Sequence, residues 1–122
     1  MDRLFQDIFD KLTSYLPTDW GKVALMANYG DGSYSIYIHV KINNQYTEIS
    51  DLGYAEKDIH VLKREIHKLI KSERKQLTGK DLWYTMTLIV DSDGNFKADF
   101  DYEDVSENSI EYTLEWRKKY LV

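Results

Sequence analysis

Asp91-Ser92-Asp93-Gly94-Asn95 sets acids at alternate positions, the pattern by which a loop wraps oxygen ligands around a hard cation. A calcium loop counted from Asp91 needs a glycine where Phe96 stands and a bidentate glutamate where Tyr102 stands. The stretch therefore reads as a turn, for which Asp, Gly and Asn are ordinary residues. His39, His60 and His67 are the only histidines. His60 and His67 fit one helix face, but two turns hold them ~10 Å apart, too far to grip one ion, and no third ligand is in view. No serine sits in a glycine-flanked elbow, so a serine triad has no support. The absence of cysteine removes thiolate zinc sites, cysteine nucleophiles and disulfides together. No catalytic residue, metal or cofactor is assigned.

Carboxylates are the chemistry that remains. Between Asp91 and Glu115 there are nine acids and one base, Lys97, a balance of −8. Between Ala55 and Lys80 eight bases face four acids, a balance of +4. The chain is thus electrically polar, with its anionic pole after residue 91. A carboxyl group works as a general acid only if burial raises its pKa. Asp99, Asp101 and Glu103 instead alternate with Ala98, Phe100 and Tyr102, so a strand points them away from the apolar row. Two readings stay open for this row: a solvated face, or a docking surface for a cationic partner. Tyr112, Trp116 and Tyr120 recur every fourth residue beyond it, with Ile110, Leu114, Arg117 and Leu121 along an adjoining face. Such rings pack against their own fold or serve as interface anchors.

The elements that position these residues follow from the spacing of apolar side chains. Phe5, Ile8, Phe9, Leu12, Tyr15 and Leu16 form the apolar stripe of a first helix, with Asp2, Asp7, Asp10 and Lys11 opposite, and Pro17 ends it. Strands are expected over Lys22–Tyr29, Ser33–Lys41 and Gln45–Ile49, joined by reversals at Gly30-Asp31-Gly32 and Asn43-Asn44. From Ala55 to Leu77 the period lengthens, and Ile59, Leu62, Ile66, Leu69 and Ile70 mark a long helix that Gly79 closes. A hairpin spans Asp81 to Asp104 about Ser92-Asp93-Gly94-Asn95. Its outgoing strand carries Tyr84, Met86, Leu88 and Val90 on one side, Trp83 and Ile89 on the other, which implies a covered second face. A last helix starts near Asp104, Ser106 or Ser109 and runs to Tyr120. The order is α-β-β-β-α-β-β-α: one two-layer α+β domain over residues 1–122, with an antiparallel sheet of about five strands and helices mostly on one face.

The chain of 122 residues is long enough to bury a core without cross-links. No apolar run approaches the ~20 residues of a membrane span, and the start lacks a basic, then apolar, export signal. A cytoplasmic protein with no membrane association is expected. The net charge of −5 disfavours direct nucleic-acid binding.

Several segments, taken in order, resemble one family. They are Leu16-Pro17-Thr18-Asp19-Trp20-Gly21-Lys22-Val23 leading into the first strand, the tyrosine-rich second strand and the basic middle helix. Leu82-Trp83-Tyr84-Thr85-Met86-Thr87, Asp93-Gly94-Asn95-Phe96-Lys97 and Phe100-Asp101-Tyr102 follow, and Trp116-Arg117-Lys118-Lys119-Tyr120-Leu121 closes the set. Together they are similar to the YezG family of immunity proteins, antitoxins of secreted polymorphic toxins. The resemblance implies a non-enzymatic cytoplasmic protein that binds and neutralises the toxic domain of a cognate effector, often a nuclease. A nuclease grips phosphates with a basic groove, which an anionic inhibitor face would steer toward and cover. On that basis Asp99, Asp101, Glu103 and Asp104 are candidate partner-binding residues, with Tyr112 and Trp116 as neighbouring anchors. The alternative is a non-enzymatic adaptor or assembly module using the same acidic and aromatic surface. The aromatic and edge-strand surfaces also leave room for a homodimer.

Overall fold

The computed structural model describes residues 2–30 and 32–122, with the side chain of Asp2 left aside. Helix α1 (Asp2–Leu12) buries Leu4, Ile8 and Leu12 at a spacing of four, so one stripe meets the sheet. The chain then tightens into a single 3-10 turn, Thr13–Tyr15. Leu16 is already extended, with φ −92° and ψ 129°, because the ring of Pro17 excludes helical geometry from the residue before it. The helix thus stops a turn earlier than its apolar spacing suggests.

Strands β1 (Trp20–Gly30), β2 (Ser33–Ile42) and β3 (Gln45–Glu48) form a meander. Asp31, inside the first expected reversal, lies outside the described residues. The second reversal is the two-residue pair Asn43-Asn44, both at positive φ (52° and 65°), between the partners Ile42 and Gln45. That left-handed pair matches the twist of the strands it joins, and asparagine reaches it at low cost. Helix α2 (Glu56–Arg74) follows, then the hairpin of β4 (Thr85–Asp91) and β5 (Phe96–Asp101). The five strands are antiparallel in the order β3-β2-β1-β4-β5.

Alternation along the strands builds two interiors. Val23, Leu25, Ala27 and Tyr29 of β1, Ile36, Ile38 and Val40 of β2, and Met86, Leu88 and Val90 of β4 face α1 and α2. There they meet Ile59, Leu62, Ile66 and Ile70, the buried stripe of α2. On the second face Ala24, Met26 and Ile89 pack with Tyr37, Tyr46 and helix α3 (Ser109–Tyr120) through Trp116, Tyr112 and Tyr120. The fold is therefore α+β, a five-stranded antiparallel sheet with three helices in the expected order. Two helices share one face, and α3 supplies the second cover that the apolar residues of β4 demanded.

Trp83 departs from its expected side. It lies before β4, is 1% exposed, and packs in the larger interior beside Tyr29 and Phe100. Trp83 precedes the strand and its carbonyl accepts a hydrogen bond from Arg74 Nε of α2 at 2.9 Å, so strand alternation does not govern it. Among the described residues no helix is long and apolar enough to cross a membrane.

Candidate functional site

The acidic pole is built by β5, the connection after it and α3. Strand parity turns Asp99 and Asp101 toward the second face, where α3 lies, and each meets a phenol. Tyr120 Oη donates to Asp99 at 2.8 Å, and Tyr112 Oη donates to Asp101. Burial first, and the carboxylate partner second, push Tyr120 up to about 12 and raise Tyr112 as well. Both phenols therefore stay neutral donors. The four-residue spacing of Tyr112, Trp116 and Tyr120 aligns three donors along one helix stripe, over a polar row of Thr87, Asp99 and Asp101.

Trp116 is buried at 3% exposure, and its Nε1 donates to Thr87 Oγ1 at 2.9 Å. The ring sits at the centre of the second interior, beside Tyr120 and 5.9 Å from the ring of His39. Tyr112 is half-buried. Of the residues singled out from the sequence, Asp101, Glu103 and Asp104 are exposed, Asp99 is half-buried, and Trp116 faces inward.

Asp104 is fixed rather than free. Its Oδ1 accepts the backbone N–H of Ser106 at 3.0 Å, which holds its pKa below the usual carboxylate range. Gly30 lets this connection approach β1, since a Cβ there would stand only 3.1 Å from Cβ of Ser106 and 3.4 Å from Oδ1 of Asp104. The connection thus sets where α3 begins.

Asp101, Glu103, Glu111 and Glu115 surround a shallow cleft of ≈ 300 Å³ at the junction of β5 and α3. Glu111 and Glu115 were not singled out from the sequence, although their spacing of four places them on one helix face with the stripe of acids. On the other flank of α3 a groove of ≈ 300 Å³ runs along Met26, Tyr37, Ile110, Leu114 and Arg117. Ile110 is 78% exposed and Leu114 57%, so α3 carries aliphatic side chains outward beside its acids. An aromatic row alone hides this, because α3 is apolar on two sides.

The turn that mimics a calcium loop uses its acid internally. Asp91 Oδ1 accepts the backbone N–H groups of Asp93 and Asn95, each at 3.0 Å, and Oδ2 accepts Asn95 Nδ2 at 3.1 Å. These bonds, above all those from Asn95, hold the Asp91 carboxyl below its usual pKa. Gly94 takes φ 88° to complete the reversal. Among the described residues no group of three or more histidines and acids is arranged to hold a metal ion.

The geometry thus presents a charged and aliphatic surface on a rigid sheet, and comparison places the chain among the immunity proteins. The family described as "Immunity protein YezG-like" matches residues 1–122, and the chain belongs to it. Immunity protein YezG of Bacillus subtilis (strain 168) is 30% identical over 119 residues, spanning 91% of this chain and 79% of that protein. Immunity protein YezG of Bacillus spizizenii (strain ATCC 23059 / NRRL B-14472 / W23) is 27% identical over 118 residues, spanning 90% of this chain and 73% of its own.

Proposed function

We propose that this protein binds the toxic domain of a cognate secreted toxin in the cytoplasm and neutralises it by contact, without chemistry of its own. The observation that carries this reading is the ring of exposed carboxylates at the junction of β5 and α3, beside the outward Ile110 and Leu114, on a member of an immunity-protein family. A nuclease is the partner class that fits best. Its phosphate-gripping surface must be cationic, and an anionic cover both speeds encounter and competes for the same groups.

Within that reading Asp101, Glu103 and Asp104 meet the toxin directly, with Asp99 behind them, and the aliphatic pair on α3 supplies the water-excluding part of the contact. Tyr112 and Trp116 act one step back, by fixing α3 against the sheet. The test is co-expression with the toxic domain encoded beside this protein, scoring survival and co-purification. Glu103→Lys combined with Glu111→Lys should slow association and reduce its salt dependence, whereas unchanged association kinetics would remove this face as the docking surface.

A further inference from the structure

A further cleft lies on the α2 side of the sheet. His67, Lys71 and Arg74 fall on one face of α2 and, with Lys75 just past its end and Tyr29, Tyr34 and Tyr84, line a cleft of ≈ 450 Å³. Among the described residues lining it there is no carboxylate. Its rings and Arg74 are held by contacts, while Lys71 and Lys75 are exposed. Tyr34 lies flat on His67, with ring centres 3.7 Å apart and planes 5° from parallel, and His67 Nδ1 is bonded to Tyr29 Oη at 2.9 Å. Arg74 is held by its Nε bond to the Trp83 carbonyl, and its guanidinium carbon stands 4.7 Å from the Tyr29 ring centre and 5.6 Å from that of Tyr84.

Three cations beside an exposed aromatic platform form the recognition chemistry of a phosphate attached to a planar base. We propose that this cleft binds a mononucleotide, with its phosphate against Lys71, Arg74 and Lys75 and its base over Tyr34. Tyr34 is 43% exposed although it is stacked on His67, so the ring offers area to a ligand. The cavity volume falls in the range of small-ligand sites. A single nucleotide needs only the local positive field, whereas a long strand would also meet the repulsion of the −8 segment. The cleft shares no lining residue with the carboxylate cleft assigned to the toxin, and its test reads nucleotide binding without the toxin.

The test is calorimetric titration of the whole protein with adenosine 5′-monophosphate, adenosine, inorganic phosphate, a single-stranded oligoadenylate and a polyglutamate peptide. The monophosphate should bind more tightly than phosphate or adenosine alone. Lys71→Glu with Lys75→Glu should weaken it by at least about tenfold, and Tyr34→Ala by about fivefold, while Tyr34→Phe binds as the parent does. All three side chains are exposed, and unchanged thermal unfolding of each variant verifies that the fold is intact. No heat from the monophosphate, equal binding by phosphate alone, indifference to these substitutions, or tighter binding of the oligonucleotide or the acidic peptide would each overturn the proposal.

Discussion

Trp116 Nε1 and Thr87 Oγ1 form a 2.9 Å hydrogen bond at the centre of the interior between α3 and the sheet. It joins the only tryptophan of α3 to the middle of β4, and the indole fills the space over Ala24 and Met26. The position of every acid on α3 relative to β5 depends on that docking.

Trp116→Ala should cost about 3–5 kcal/mol of folding stability, since it opens a large cavity and leaves Thr87 without its partner. Trp116→Phe keeps most of the packing and should cost about 1–2 kcal/mol less than the alanine change. Urea unfolding of both variants measures the difference. A loss below about 1 kcal/mol for the alanine variant would mean that α3 is not anchored there.

His39 is 4% exposed on the same face, near Trp116, with Glu48, Lys63 and Arg117 as the charges around it. Burial, the largest influence, lowers its pKa below 6.5, and Arg117 and Lys63 act in the same direction against the opposing pull of Glu48. The folded protein therefore resists taking up a proton that the unfolded chain accepts near pH 6.5. This stability is fully present above that pH and is lost as pH falls from there toward the lower folded value. His39→Gln should flatten the decline measured by denaturant titration at a series of pH values. A part will persist, because burial lowers His67 too.

Asn43→Val should destabilise the β2–β3 hairpin by about 1–2 kcal/mol, because a β-branched residue resists the positive φ of 52° held there. Asn43→Gly should be close to neutral. Thermal unfolding separates the two, and equal midpoints would argue against a left-handed turn.

The strand and helix order was legible because it depends on local periodicity, and Asn43-Asn44 was legible because few residues tolerate its backbone. Trp83 was not, since it lies in the connection before β4 and its carbonyl is held by Arg74 of α2, a contact that residue spacing does not show. The acids show the same limit. Parity correctly separated Asp99 and Asp101 from Phe100, but whether that side met water or protein depended on where α3 lands. A polar row of Thr87, Asp99 and Asp101 opposite three ring donors spaced by four was the available sign, legible only once the two elements are known to face each other. The outward Ile110 and Leu114 carry no sign of their exposure, because aliphatic residues on a helix ordinarily point inward.

Helices α2 and α3 lie across the sheet from each other, so the surplus of bases on one and of acids around the other are held apart by the thickness of a β-layer. A body charged in this way feels a torque from any charged neighbour while the two are still separated by water. It will tend to arrive already turned, and added electrolyte will shorten the distance over which that turning begins.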